Sequence, residues 1–150
     1  MTSPVGPTGD ETPLWTPRLV LGIPLIDGQH RNLVERLESL LRALRSGHPA
    51  HELRQCLDFV ERYTQEHFQT EEHYMQVHKF PGFQAHQLLH RQFRVTVEKT
   101  RRFIEANPLS SKSLQLVRSL LVNWYVQHIQ GTDQEYVAFY RDQGVSELFG

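Results

Sequence analysis

The sequence contains two pairs of polar residues whose members are four positions apart. The first pair is His67 and Glu71, and the second is His86 and His90. Side chains with this spacing lie on one face of an α-helix, so each pair would present two ligand atoms side by side. Imidazole and carboxylate groups are common metal ligands. Either pair alone is weak evidence, because such spacings arise by chance in a chain with nine histidines.

The pairs lie within stripes of apolar residues that recur every three or four positions, the period of an amphipathic helix. His30 stands in such a stripe with Leu33 and Leu37, and His128 follows Trp124 by one helical turn. Burying these polar groups costs free energy unless something pairs them. A single histidine on an apolar stripe is usually a hydrogen-bonded core residue, but several converging on one interior indicate a shared cation.

Asp133 follows His128 by five positions, which an ideal α-helix would rotate by about 140° to another face. A local π-turn near Gly131 would bring the aspartate back to the interior, and such turns are frequent at functional sites. With this turn, seven residues are candidate metal ligands: His30, His67, Glu71, His86, His90, His128 and Asp133.

Five imidazoles and two carboxylates are more ligands than one metal ion uses, and they fit two ions. Zinc is satisfied by four ligands, and calcium or magnesium prefers oxygen. A histidine-rich set at higher coordination number, with carboxylates available to bridge a metal pair, suits iron best. The residues therefore favour a site for two non-heme iron ions.

Proline placement indicates which elements position these ligands. Five of the eight prolines lie in the first 24 residues, and the other three are widely spaced. Because proline breaks helix interiors, the long proline-free stretches are the candidate helices. These stretches are residues 25–45, 50–77, 85–106 and 110–140.

Four amphipathic helices joined by short turns predict an all-α fold, an up-down-up-down antiparallel four-helix bundle. Residues 1–14 are rich in proline, threonine and glycine and are predicted to form a flexible tail. Residues 15–24 are predicted to form an extended N-terminal arm along the bundle, which makes 15–150 one domain.

Composition excludes several classes of protein. Sixteen basic against seventeen acidic residues leave a net charge of -1, which argues against a nucleic-acid partner. The longest apolar stretch, 19–26, is interrupted by glycine and proline, whereas a membrane span needs about 20 residues. The N-terminus lacks the pattern of a secretory signal, and a single cysteine, Cys56, forms no internal disulfide, so we expect a cytoplasmic protein.

These motifs, taken in order along the chain, resemble those of the hemerythrin family, in particular the single-domain bacterial hemerythrins. The matching features are Trp15, the stretch Gly22-Ile23-Pro24-Leu25-Ile26-Asp27-Gly28-Gln29-His30, then His67-Phe68-x-x-Glu71-Glu72, His86-x-x-x-His90, and Trp124-x-x-x-His128-Ile129-x-x-x-Asp133. The resemblance covers residues 15–140, and every expected ligand position holds the expected residue type.

The resemblance implies a role for each ligand. One iron would be held by His86, His90 and His128, and the other by His30 and His67. The carboxylates Glu71 and Asp133 and an oxo or hydroxo group would bridge the two irons. Dioxygen would bind at the two-histidine iron, which is left with an open coordination position.

The positions of residues near the candidate ligands predict their roles. We expect Ile26, Leu33, Val34, Tyr63 and Trp124 to form the wall of the dioxygen pocket. Trp124 and Tyr63 each lie one turn from a ligand, and core packing is their expected role, with hydrogen bonding to a ligand as the alternative. Glu72 is expected on the outer face, Cys56 beside the apolar stripe, and His48, His51, His73 and His78 on the surface.

The function favoured by the sequence is reversible dioxygen binding without turnover of an organic substrate, as a carrier, store or local supplier. An oxygen or redox sensor that relays its state to a partner is one alternative. The other is a diiron enzyme acting on peroxide or nitric oxide. A carrier would deliver oxygen to an oxygen-consuming partner protein, which the sequence does not identify.

Overall fold

The structure, a computed structural model, describes residues 14–46, 50–107 and 110–150. Its four long helices are α1 (Pro24–Arg45), α2 (Ala50–Val77), α3 (Phe83–Ala106) and α4, which runs without interruption over 111–142. Two short 3-10 turns, Pro17–Leu19 and Glu147–Phe149, lie before α1 and after α4. The described ranges contain no β-strand.

The four helices form the antiparallel bundle that the sequence predicts. Helix α1 packs against α2, α2 against α3, and both α1 and α3 against α4. The helix bounds agree with the predicted ones to within two residues. Helix α1 begins at Pro24, which suits a first helical position because the fixed φ of proline is helical and its missing N–H has no partner there anyway.

The apolar stripes of the helices meet in one core. Helices α1 and α4 supply most of the buried side chains, aliphatic in α1 and both aliphatic and aromatic in α4, and α2 and α3 add the rest. Core residues that are 0% or 1% exposed include Leu33, Leu37, Leu40, Leu57, Val60, Phe68, Met75, Phe93, Val97, Val117, Tyr125 and Ile129. Within the described ranges, no helix is both long enough and apolar enough to cross a bilayer.

Helix α4 departs from regular α-helical geometry at two places. Its α-helical segments are Ser111–Val117, Trp124–Gln127 and Asp133–Asp142, and they are separated by π-helical segments at Arg118–Asn123 and His128–Thr132. A π-helical turn holds more residues than an α-helical turn, so each such segment changes the register of the side chains that follow it.

The segment before α1 packs against the bundle but is not extended throughout. Leu19, Leu21 and Ile23 are buried, whereas Val20 between them is exposed. The 3-10 turn Pro17–Leu19 interrupts the predicted extended arm, and Pro17 presets the φ angle that this turn needs. The backbone is extended at Thr16 before the turn and at Val20 after it.

Gly22 joins this segment to α1. Its φ of +94° is a conformation that residues with a Cβ atom rarely adopt, and a Cβ there would lie 2.8 Å from the Arg141 guanidinium. The backbone N–H groups of Leu21 and Gly22 donate hydrogen bonds of 2.8 and 3.0 Å to the Asp27 carboxylate. These bonds fix the segment to the first turn of α1, three residues before His30.

Some expectations fall outside the described residues. They are the flexible tail, apart from residue 14, the middle of the turn between α1 and α2 at 47–49, and the side chain of Cys56.

Candidate metal centre

All seven predicted ligands are buried, and they meet inside the bundle. Each is 5% exposed or less. Helix α1 supplies one of them, and each of the other three helices supplies two, at positions that face the bundle axis. In helix order the residues are His30, then His67 and Glu71, then His86 and His90, then His128 and Asp133.

The π-turn predicted near Gly131 is present as the π-helical segment His128–Thr132. Through this wider turn, Asp133 points back to the interior and is 0% exposed. Its Oδ1 atom lies 3.0 Å from His128 Nε2. The five-residue spacing, which in a regular α-helix would separate these two groups, therefore brings them together.

The two carboxylates lie at the centre of the cluster. His30 Nε2 is 3.3 Å from Glu71 Oε1 and 3.3 Å from Asp133 Oδ2. His86 Nε2 is 3.1 Å from Asp133 Oδ1 and 3.6 Å from Glu71 Oε2. His67 Nε2 also contacts Glu71 Oε1. Each carboxylate thus reaches histidines on both sides of the cluster.

The ligand atoms fall into two groups that share Glu71. One group contains His30, His67 and Glu71, and the other contains Glu71, His86, His90, His128 and Asp133. Within each group the ligand atoms lie within 4.8 Å of one another. We call these groups the two-histidine end and the three-histidine end.

Many of the nitrogen and oxygen atoms that could hold a metal lie close together but do not form hydrogen bonds among the described residues. They include Nε2 of His67, His86, His90 and His128 and both carboxylate oxygens of Asp133. Burying unpaired polar atoms is costly, and a bound cation would offset that cost. The burial, the donor types and the two groups therefore fit a non-heme iron site.

In the metal-free cluster, the pKa values of the histidines and carboxylates are shifted by one another. Burial lowers the pKa of His30, but hydrogen bonds and the charges of Asp133 and Glu71 outweigh it and raise the pKa to about 9. Opposing effects of the same kind raise the pKa of His86 to about 9. Burial raises the pKa of Glu71, yet the charge of His67 and hydrogen bonds from histidine rings hold it well below its usual range. Without metal, protons on the imidazoles balance the carboxylates.

Gln29 orients one of the ligands. Its Oε1 atom lies 2.7 Å from His67 Nδ1. Because an amide oxygen only accepts, Nδ1 carries the hydrogen, and the lone pair of Nε2 faces the cluster. Gln29 belongs to the matching stretch before His30, but the sequence alone assigns it no role.

Glu72 is not on the outer face, and the prediction that placed it there is wrong. Its side chain is only 13% exposed, and its Oε1 lies 3.9 Å from Nδ1 of His90. Burial raises the pKa of Glu72, but the contact with His90 lowers it more. The helical angle from Glu71 was correct, but α3 packs against α2 and covers that face.

Aromatic rings enclose the three-histidine end. Phe68 stacks on His90 with ring centroids 3.7 Å apart and an interplanar angle of 3°. Trp124 stacks on His128 at 4.5 Å and on Phe93 at 4.1 Å. Trp124 therefore has the packing role that the sequence predicts. It packs at the three-histidine end and not at the two-histidine end.

The wall residues predicted for the dioxygen pocket divide into two sets. Ile26, Leu33 and Val34 are 0% or 1% exposed and share the face of α1 that carries His30. Half-buried Tyr63 stacks on Phe59 at 5.3 Å instead. Only the aliphatic residues of α1 have the burial and position of a pocket wall.

Three buried tyrosines of α4 were not predicted as part of the site. Tyr125, Tyr136 and Tyr140 are 2% exposed or less, and their hydroxyls have no hydrogen-bond partner among the described residues. Burial, followed by the charge of Glu71, raises the pKa of all three. Tyr125 lies three residues before His128, and Tyr136 lies three residues after Asp133. This helical spacing could have indicated that both tyrosines face the site.

The remaining histidines differ in environment. His73 is exposed, as expected. His78 is half-buried, because its ring packs edge-on against Tyr140 at 5.2 Å. The surface assignments of His48 and His51 lie outside the side chains that the structure describes.

Comparison with known proteins agrees with this geometry. The model of the hemerythrin HHE cation-binding domain matches residues 21–140, which include all seven candidate ligands. A bacteriohemerythrin of Stenotrophomonas maltophilia is 35% identical over 123 residues, which cover 82% of this chain and 78% of the relative.

Two further bacteriohemerythrins extend the comparison. One, from Pseudomonas aeruginosa, is 30% identical over 135 residues, covering 90% of this chain and 85% of the relative. The other, from Clostridium acetobutylicum, is 27% identical over 127 residues, covering 83% of this chain and 98% of the relative. The chain therefore belongs to the hemerythrin family.

Proposed function

We propose that this protein binds dioxygen reversibly at a pair of non-heme iron ions, as a carrier, store or local supplier and not as an enzyme. The observation that carries the proposal is the unequal division of the ligands. Three histidines serve one group and two serve the other, and both groups share a carboxylate. An ion at the two-histidine end would have fewer protein ligands and so a position for an exogenous molecule.

The proposed ligand assignment follows the two groups. His86, His90 and His128 would hold one iron, and His30 and His67 the other. Glu71 and Asp133 would bridge the pair together with a solvent-derived oxo or hydroxo group. A bound iron pair would supply two electrons that transfer to dioxygen on binding and return to the iron when dioxygen is released.

The protein's own contribution is to hold the ligands and exclude water. Gln29 orients the ring of His67 by accepting a hydrogen bond from its Nδ1. The aliphatic residues Ile26, Leu33 and Val34 keep the neighbourhood of His30 dry. A dry site suppresses the side reactions of bound dioxygen with water and protons.

The proposal is tested by optical spectroscopy combined with metal analysis. The reduced, iron-loaded protein is exposed to air and then deoxygenated, and the spectrum is recorded at each step. We expect two irons per chain and a charge-transfer band that appears with air and disappears on deoxygenation. A band that stays after oxygen is removed, with peroxide or water as product, would identify an oxidase and contradict the proposal.

The structural response to oxygenation separates a carrier from a sensor. The structure of a carrier should change little when oxygen binds. A large change in hydrodynamic radius or in protease susceptibility on oxygenation would support the sensor alternative instead.

A further inference from the structure

Tyr125 places a hydroxyl group inside the bundle, where no described protein group forms a hydrogen bond with it. The residue is 0% exposed, and its hydroxyl has no hydrogen-bond partner among the described residues. A buried donor that is left unpaired is destabilising, and a phenylalanine would fill the same space without that cost. The hydroxyl is therefore expected to meet an acceptor when the site is loaded.

The ring of Tyr125 lies at the two-histidine end. Its centroid is 6.0 Å from that of His30, with the rings nearly perpendicular at 82°. It is 6.4 Å from the ring of His67. Tyr125 precedes His128 by three residues, so it lies on the inner face of α4 one turn before that ligand. It thus contacts both histidines that the other end does not use.

Neither carboxylate accepts a hydrogen bond from the Tyr125 hydroxyl among the described residues, and in the proposed site both Glu71 and Asp133 are needed as metal ligands. The other ring neighbours of Tyr125 are Phe68, Phe93 and Trp124, which offer no oxygen acceptor. None of these neighbours accepts a hydrogen bond from Tyr125, so an exogenous ligand at the two-histidine end is the acceptor that the loaded site would add.

We propose that the Tyr125 hydroxyl donates a hydrogen bond to the small exogenous ligand that binds at the His30–His67 end. This inference rests on the proposed function, because it assumes a metal at that end with a free position. A phenol is protonated at neutral pH and so is a donor there. The donor favours ligands that are anionic or gain negative charge on binding, since hydrogen bonds to charged acceptors are the stronger ones.

The probe is azide, a small linear anion, added to the iron-loaded, oxidised protein. Its affinity is measured by spectral titration, and its antisymmetric stretch is recorded by infrared spectroscopy in H2O and in D2O. The variant is Tyr125→Phe, which removes only the hydroxyl. The matched control is Tyr140→Phe, because Tyr140 is equally buried on α4 with an unpartnered hydroxyl, but its ring contacts Tyr136 and His78.

We expect Tyr125→Phe to lower azide affinity about tenfold, the scale of one hydrogen bond to a charged acceptor. The shift of the azide stretch between H2O and D2O should shrink in this variant and remain in Tyr140→Phe. Iron content and thermal unfolding are measured for both, so that a loss of metal or of folding is recognised.

Two results would overturn the proposal about Tyr125. One is an unchanged affinity and isotope shift in Tyr125→Phe, and the other is an equal loss in Tyr140→Phe. The proposed function fails in a different way. In that case the parent protein itself, with two irons bound, shows no reversible response to dioxygen, whatever Tyr125 does.

Discussion

The two ends of the buried cluster are built from the same kinds of ligand but have different surroundings. At the two-histidine end, His30 and His67 come from different helices and lie near aliphatic side chains of α1 and near Tyr125. At the three-histidine end, two of the rings are covered by the stacked aromatic side chains of Phe68 and Trp124.

The groups behind the histidine rings also differ. The neutral amide of Gln29 contacts His67, whereas the carboxylate of Glu72 lies near His90. A carboxylate behind an imidazole makes it a more basic ligand than an amide does. On the proposed assignment, the three-histidine end would hold its ion more firmly, and the two-histidine end would leave its ion with fewer protein ligands.

The largest expected effect is that of Glu71→Ala, because Glu71 belongs to both ends. Its loss removes a ligand from each ion and leaves two cations with less negative charge between them. We expect both irons to be lost, whereas His67→Ala should deplete mainly the two-histidine end. Metal content per chain by mass spectrometry measures this.

His73→Ala is the matched control for these variants, since His73 is exposed on the same helix. It should retain both irons. A Glu71→Ala protein that keeps two irons and binds oxygen reversibly would show that Glu71 is not shared between the two ends.

Removal of the metal should lower stability, and the loss should depend on pH. In the metal-free protein the pKa values of His30 and His86 are raised to about 9, above the 6.5 of an unfolded histidine. Protonation of these two groups therefore favours folding. Their contribution is complete below pH 6.5 and is lost as the pH rises through 9.

Thermal unfolding at several pH values measures this effect. The metal-free protein should lose stability between pH 6.5 and 9 relative to the iron-loaded protein, in which the same nitrogens hold metal. Iron binding at pH 7 should release protons from these histidines, which an indicator in weak buffer detects. Metal binding without proton release at pH 7 would contradict the charge state described for the cluster.

Leu33→Ser tests the dry wall of the two-histidine end. Leu33 is 0% exposed on the face of α1 that carries His30, so the change should destabilise the fold by about 3 kcal/mol. It should also speed autoxidation of the oxygenated protein. The half-life of the oxygenated form is measured at a temperature where both variant and parent are folded.

Leu40→Ser is the control, because Leu40 is also 0% exposed but lies three turns from His30. It should cost similar stability and leave the autoxidation half-life near that of the parent. Equal acceleration by both variants would mean that general loosening, and not the local wall, controls autoxidation.

The smallest effect is expected for Glu72→Gln, which keeps the shape of the side chain and removes its charge. If the carboxylate strengthens His90 as a ligand, the affinity of the three-histidine end for iron should fall about tenfold. Iron release to a chelator measures this. Glu66→Gln, at an exposed position of α2, is the control, and equal release rates for the two variants would remove Glu72 from the site.

The sequence predicted the helices and the seven converging residues because both follow from helical periodicity. Positions such as His67 and Glu71 lie on one face wherever the helix is placed, and proline marks where each helix can begin or end. Even the π-turn before Asp133 followed from requiring that a carboxylate near His128 face inward.

The surroundings of the ligands were harder to predict, because they depend on how neighbouring helices pack. Glu72 points away from Glu71 within α2, and only the position of α3 makes that direction an inward one. Trp124 and Tyr125 are adjacent in the sequence, yet their rings serve opposite ends of the cluster. A period of 3.6 residues assigns a residue to a face, but it does not say which ligand that face meets.

The π-helical segment His128–Thr132 has a consequence for how the chain tolerates changes in length. A wide turn accommodates a five-residue spacing between two inward groups, and an ordinary α-helical turn accommodates a four-residue spacing, as between His67 and Glu71. Deleting one residue inside this segment could therefore be absorbed by a return to α-helical winding, with both groups still facing inward. A deletion within the regular turns of α2 or α3 would instead rotate every later side chain by about 100°. Single-residue deletions in relatives of this chain should therefore be better tolerated at 129–132 than between the paired ligands of the other helices.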